Sequence, residues 1–204
     1  MSKGTAMKLT DKTLPLSAVV MASGHSVRFG GNKLITPVEG IPMIERLFRT
    51  LPQESFSSVV VVAREEAILT LARRYGFTAV HNDDLENDTA KTIFLGMEHI
   101  SPHSVGCMFF VGDQPWLRTE TIQTLCQNFM DRPDRIHLPV HQGRRGNPVV
   151  FPASLFEELK NLPPHGVGKA VIGSHPQLVV EQEVSELDLK DVDYVSDLNS
   201  SEKI

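Results

Sequence analysis

Four short, uninterrupted apolar runs constrain this chain more than any other feature: "LSAVVMA" at Leu16–Ala22, "SSVVVVA" at Ser57–Ala63, "FTAV" at Phe77–Val80 and "VGCMFFV" at Val105–Val111. A strand that is apolar at every position, rather than at every second one, must be covered on both faces, which is the condition of a parallel strand inside a sheet. The intervening stretches have helical period. "IPMIERLFRTL" places Ile44, Leu47, Phe48 and Leu51 on one stripe, with Pro42 at its first turn. "REEAILTLARRYG" begins with acids and ends with bases and Gly76, in accord with the helix dipole and a C-terminal cap. "RTETIQTLCQNFM" and "PASLFEELKNL" also read as helices. Strand and helix in alternation predict an α/β fold of three layers, doubly wound around a mostly parallel sheet. Beyond about residue 132 the pattern shortens to strands at "DRIHLPV", "NPVVF" and "PQLVVEQEV", separated by Pro/Gly-rich turns.

At 204 residues, without repeat or long linker, the expectation is one domain over 14–204 behind a polar leader at 1–13. Lys and Arg total 20 against 25 Asp and Glu, so there is no basic footprint of a nucleic-acid binder, and any cationic site must be local. No run reaches the ~20 apolar residues of a membrane span, and the start lacks the pattern of a secretory signal. Cys107 and Cys126 lie in apolar segments with no metal-ligand spacing and read as buried free thiols of a reducing compartment. The expected location is cytoplasmic.

The stretch "VVMASGHSVRFGGNKL" follows the first strand. A P-loop needs G-x-x-x-x-G-K-[ST], whereas here five residues separate Gly24 from Gly30, and Gly31-Asn32-Lys33 follows. A dinucleotide fingerprint must turn directly into a helix, but Pro37 interrupts any helix starting here. Two readings remain: a solvated surface loop, or a longer anion cradle of glycines and backbone N–H groups with Arg28 and Lys33 as charge partners. The latter accords with the preference of open α/β sheets for ligands at the carboxyl ends of their strands.

A second feature lies at the same predicted edge. In "VGCMFFVGDQPWL" the apolar run stops at Val111, Gly112 provides a turn and Asp113 follows. Asp113 is either an Asx turn ahead of "RTETIQTL" or a carboxylate for Mg²⁺, which keeps waters and bridges to substrate phosphates. An acid and a phosphate cradle on one edge favour the metal reading, because metal-dependent phosphoryl and nucleotidyl transfer needs both.

These residues carry a family resemblance. "MASGHSVRFGGNKL" is similar to the signature LAAGxSxRMGxxK of the MobA-like nucleotidyltransferases, and "GDQP" to their metal motif, the nearest branch being the molybdenum cofactor cytidylyltransferases. The resemblance implies a Rossmann-like nucleotidyltransferase fold of the nucleotide-diphospho-sugar transferase type. It implies that Ala22, Ser23 and Gly24 lie by the base and ribose, Ser26, Arg28 and Gly30 by the phosphates, and Lys33 along the phosphate chain, with Arg28, Lys33 and Asp113 catalytic. Ser23 departs from the Ala or Gly usual there. "HNDDLENDTAKTIFLGM" resembles the family stretch ending in G-M, which makes Asn82 and Thr92 nucleotide contacts, with Asp88 where the family has its first Gly. "GRRGNPVVF" resembles the branch's GNPV element and assigns Arg145, Gly146, Asn147 and Pro148 to the acceptor phosphate. "HGVGKAVI" lies where the branch has GDxGAR, adding Lys169, with His165 at the Asp position. "DLKDVDYVSDL" resembles the closing DIDTPEDL, so Asp191 or Asp193, of which we take Asp193, completes the Mg²⁺ shell opposite Asp113.

The implied reaction is Mg²⁺-dependent transfer of CMP from CTP to the phosphate of molybdopterin, with CTP and a molybdopterin-type acceptor as partners and a molybdenum hydroxylase as recipient of the product. Two alternatives stay open: a nucleotidyltransferase with a different pair of substrates, such as GTP with molybdopterin or an NTP with a sugar or polyol phosphate, and a non-catalytic accessory protein that delivers the cofactor to such a hydroxylase.

Overall fold

The computed structural model describes residues 15–24, 32–84, 86, 88–194 and 197. The leader and Ser26, Arg28 and Gly30 lie outside the described residues.

The four apolar runs become β1 (Leu16–Ala22), β4 (Ser58–Ala63), β5 (Thr78–His81) and β6 (Gly106–Val111). Two-residue strands β2 (Pro37–Val38) and β3 (Ile41–Pro42) form a separate antiparallel hairpin after the glycine loop, and the later chain supplies β7 (Ile136–His141), β8 (Arg144–Arg145), β9 (Val149–Pro152) and β10 (Val179–Glu183). The main sheet runs β10-β7-β9-β6-β1-β4-β5, with β8 paired to β7. Strands β6, β1, β4 and β5 are parallel, and β10 is parallel to β7; β9 runs antiparallel to both neighbours.

Helices cover both faces, so the sheet is the middle of three layers. Helices α1 (Met43–Thr50), α2 (Glu66–Arg74) and α4 (Thr119–Asp131) pack Ile44, Phe48, Leu69, Ile122 and Phe129 onto Ala18, Val20, Val61 and Phe110. On the other face, α3 (Thr89–Met97), α5 (Phe156–Lys160) and α6 (Gly168–Ser174) set Ile93, Met97, Leu159 and Val171 against Val19, Val60, Val62 and Phe109. Adjacent residues of β1 and β4 thus serve opposite cores, which explains why their runs contain no polar alternation. Cys107 and Cys126 are free and buried, and burial pushes the Cys126 thiol up to about 12 and the Cys107 thiol higher still. Among the described residues no helix is long and apolar enough to cross a membrane.

The structure corrects one helix. "PASLFEELKNL" begins as strand, because Pro152 is still paired with Gly106 on β6; a 3₁₀ turn at Ala153–Leu155 follows, and only Phe156–Lys160 is α-helical. Pro42 precedes α1 rather than opening it, since Ile41–Pro42 is held in the β2–β3 hairpin.

Candidate active site

Strand register sets the site. Met21 pairs with Val111 and Ala22 with Ala63, so β1, β4 and β6 end level, and the Gly112 N–H donates to the Met21 carbonyl at 3.2 Å, extending the pairing one residue further. Gly24 and Asp113 therefore leave the sheet at one edge. A Cβ at Gly112 would stand 3.1 Å from Leu34 Cδ1 and from Ile44 Cδ1, tighter than an ordinary contact, so the glycine lets both side chains pack closely here. With buried Leu34 seated against that glycine, the preceding side chain, Lys33, is directed at Asp113. Asn32 holds the turn by accepting the Leu34 N–H at 3.0 Å.

The C-terminal segment reaches the same corner. A 3₁₀ turn at Glu186–Leu189 leads to Val192, which is fully buried and whose N–H donates to the Asp113 carbonyl at 3.0 Å. Upstream, the Lys190 ammonium lies 4.8 Å from the Trp116 ring centroid. Asp188 accepts Arg118 Nη2 at 2.6 Å, Arg118 Nε at 3.1 Å and the Arg118 backbone N–H at 3.1 Å, and the Ser185 hydroxyl donates to it at 2.7 Å. Burial alone would raise the Asp188 carboxyl, but these bonds, Arg118's first, hold it below the usual range. Three contacts thus fasten the 186–193 strap to the 113–118 loop.

Lys33 sits between the two segments. Its ammonium donates to Asp113 Oδ2 at 2.8 Å and to the Val192 carbonyl at 2.9 Å, and lies 3.4 Å from Asp193 Oδ1. Burial opposes its charge, yet the bond and charge of Asp113, followed by Asp193, keep its pKa above that of a free lysine. Asp191 stands on the same strap and bonds Gln114. Desolvation in this crowded corner, then repulsion from Asp113 and Asp193, pushes its carboxyl up to about 6 against the pull of Gln114 and Lys33. Asp191 keeps much of its surface in water, which limits the part burial plays beside the repulsion.

That shift has a signed consequence. A folded-state value of about 6 exceeds the ordinary 3.8, so the folded protein binds the extra proton; its stabilising effect is complete below the unfolded value and is lost as pH rises through 6. Asp191→Asn is expected to raise the melting temperature at pH 7.5 and to leave it nearly unchanged at pH 4. Equal effects at the two pH values, by differential scanning fluorimetry, would contradict the repulsion.

Two cavities open at this edge. One, of about 260 Å³, is lined by Ser23, Gly24, Lys33, Thr89, Thr92 and Asp113. The other, of about 620 Å³, has an apolar floor including Phe109, Leu138 and Phe151 and a rim carrying Arg144, Arg145, Gly146, Asn147 and Lys169. Met21, Thr89 and Val111 line both, so the cavities adjoin.

Among the sequence-derived site residues, Ser23, Gly24, Lys33, Thr92 and Asp113 share the smaller cavity, with Asp193 joined through Lys33. Arg145, Gly146, Asn147 and Lys169 share the larger. The buried Ala22 ends β1, and the buried Pro148 leads into β9; neither is among the residues lining these two cavities. The Ser23 hydroxyl donates to the Val62 carbonyl on β4 at 3.1 Å, which gives the departure at this position a local role. Asn82 is buried and donates to Thr92 Oγ1 at 3.1 Å. Arg145 is paired with Glu181 at 2.6 Å. Gly146 permits a close approach: a Cβ there would lie 2.6 Å from Leu189 Cδ2 on the strap. Two departures from the family pattern meet, because Asp88 Oδ1 accepts both the Ala90 N–H that caps α3 and the His165 N–H, at 2.8 and 3.0 Å. Sequence reasoning missed Thr89, which lines both cavities, and the Val192 carbonyl, which carries no side-chain signal.

Among the described residues no group of three or more His, Cys, Asp or Glu side chains encloses a common metal position. The Asp113 and Asp193 carboxylates and the Val192 carbonyl nevertheless already converge on one cation, the Lys33 ammonium. Such hard oxygen donors, few in number, suit an ion that completes its shell with water and substrate phosphate.

Residues 18–179 match the profile described as the MobA-like NTP transferase domain. The chain belongs to that family. Its fold is shared with the Mycobacterium tuberculosis protein Rv0371c at 25% identity and a TM-score of 0.76, with 91% of this chain and 96% of the other covered; Rv0371c has also been solved as a manganese complex. Molybdopterin-guanine dinucleotide biosynthesis protein A from Archaeoglobus fulgidus superposes with a TM-score of 0.68 at 18% identity, covering 90% and 95%. A CMP:2-keto-3-deoxy-manno-octonic acid synthetase solved with CTP gives 0.68 at 15%, covering 91% and 95%. By family this is a MobA-like NTP transferase domain, and with these solved structures it shares the fold.

Proposed function

We propose that this MobA-like transferase moves CMP from CTP to the terminal phosphate of a molybdopterin-type acceptor, with Mg²⁺ and with release of pyrophosphate. The observation that carries the reading is the adjoining pair of cavities. A cleft of about 260 Å³ ends at Lys33 and Asp113, and beyond the Met21–Thr89–Val111 wall lies a larger chamber with an apolar floor and a rim of Arg144, Arg145 and Lys169. An acceptor with a ring system and an anionic tail matches that division, the ring on the floor and the phosphate toward the cationic rim.

In the reaction, an acceptor phosphate oxygen attacks the α-phosphorus of CTP, the bond from that phosphorus to the β-phosphate bridging oxygen breaks, and pyrophosphate leaves with the electron pair. The nucleophile is already ionised at neutral pH, so no protein base is required and positioning with charge stabilisation accounts for the rate. Asp113 and Asp193 would hold the divalent ion, which when bound offsets triphosphate charge. Lys33 and Arg28 offset charge on the α-phosphate and on the departing pyrophosphate. Ser23 is by the base in this reading, and with its hydroxyl proton committed to Val62 it offers a base only its lone pairs.

The test is pyrophosphate release from each of the four ribonucleoside triphosphates with Mg²⁺, with and without molybdopterin. Release confined to CTP plus molybdopterin supports the reading, and release with GTP instead transfers it to the guanine dinucleotide. Release only with a sugar or polyol phosphate replaces the acceptor; tight binding without turnover favours an accessory role.

A further inference from the structure

Lys33 is placed where a metal-binding site would want an ion, not only where a triphosphate would want a partner. Asp113 Oδ2, the Val192 carbonyl and Asp193 Oδ1 surround its ammonium at 2.8, 2.9 and 3.4 Å, and they come from two segments pinned together through the Val192 N–H. The Lys33 side chain keeps 17% of its exposure and that of Asp113 23%, so the pair is substantially withdrawn from water. These donors are the oxygens expected to hold a divalent ion, and that ion cannot share them with an ammonium in contact with the same atoms, because like charges at such separation repel strongly in a partly desolvated site.

We infer that Lys33 is an internal counter-ion that fills the metal cradle of the nucleotide-free protein and is drawn onto the phosphate chain when a triphosphate arrives. Without it, Asp113, Asp191 and Asp193 would repel one another on two loops that must stay together. With it, the cradle is assembled but closed to free metal. Nucleotide opens the cradle by offering Lys33 a better-charged partner, so tight metal binding requires nucleotide, and metal enters with the triphosphate rather than ahead of it. This ordering rests on the nucleotidyl-transfer reading; occupation of the cradle by Lys33 does not.

Manganese serves as the probe, with free Mn²⁺ counted by electron paramagnetic resonance on the full chain. Lys33→Met removes the charge and keeps the length of the stem. In the absence of nucleotide it is expected to bind Mn²⁺ at least about tenfold more tightly than the unsubstituted protein, although it loses turnover. CTP should tighten Mn²⁺ binding to the unsubstituted protein by a larger factor than to Lys33→Met, since only there does it release the cradle. Asp113→Asn in the Lys33→Met background should abolish the gain, which assigns it to this cradle. If Lys33→Met fails to fold by circular dichroism, Lys33→Gln carries the same comparison. Mn²⁺ binding to the folded variant that is no tighter than to the unsubstituted protein overturns the inference. A tighter variant whose parent responds to no triphosphate keeps the counter-ion and overturns nucleotidyl transfer.

Discussion

Asp113→Ala is expected to reduce kcat/KM for pyrophosphate release by at least about 10³-fold, equivalent to ~4 kcal/mol of lost transition-state stabilisation. In the proposed reaction, charge accumulates on the oxygens around the α-phosphorus, and the ion opposing it is held by very few protein groups. Losing one carboxylate from so small a set removes most of the hold. Folding should survive. The strap is fastened to position 113 through the backbone, Val192 N–H to the Asp113 carbonyl, and alanine retains that bond. What disappears is the mostly buried ion pair with Lys33, whose ammonium keeps the Val192 carbonyl and Asp193 as partners, so we place the cost at roughly 1–2 kcal/mol. Assay of pyrophosphate beside a thermal melt separates the effects: near-normal turnover in the variant would remove Asp113 from the chemistry, and a collapsed melt would reassign it to structure.

Arg118→Ala is expected to give the second large effect, on stability. It leaves the fully buried Asp188 carboxylate without its cation, a change that costs about 3–5 kcal/mol when both partners are dry. Arg118 is 56% exposed, and the Ser185 hydroxyl and the backbone N–H at 118 remain, so we place the cost at roughly 2–3 kcal/mol, or about 5–10 °C in melting temperature for a domain of this size. Arg118→Lys should recover part of the loss, because a lysine cannot reproduce the two guanidinium contacts, Nε and Nη2, on one carboxylate. A melting temperature within about 2 °C of the parent for Arg118→Ala, the shift of a ~1 kcal/mol effect or less, would show that the clamp contributes little to holding the strap.

Much of this architecture was legible in the chain because burial on two faces leaves a local trace. The runs beginning at Leu16, Ser57 and Val105 mark strands to within a residue, and "RTETIQTLCQNFM" marks α4. Legibility failed where pairing overrode local pattern. Pro152 stays extended because β6 lies beside it, although its neighbours have helical spacing. Helix α6 carries two glycines and buries only Val171, so its period is too weak to register. At the site, Asn82 and Thr92 were legible only through the family resemblance, and nothing local indicates that they bond each other. Nor does anything local link Asp88 with His165, 77 positions apart.

The sequence by itself determined a doubly wound sheet, a glycine loop of neither the P-loop nor the dinucleotide type, and an acid delivered at the end of a buried strand. Each of these follows from spacing within a few residues. Only the tertiary structure decided that Lys33 meets Asp113 across 80 positions and Val192 across 159. That meeting depends on three strands ending level, on Leu34 packing beneath Gly112, and on a strap clamped through Asp188. These are relations between distant segments, set by packing and register, and the local periodicity of a chain carries no record of them.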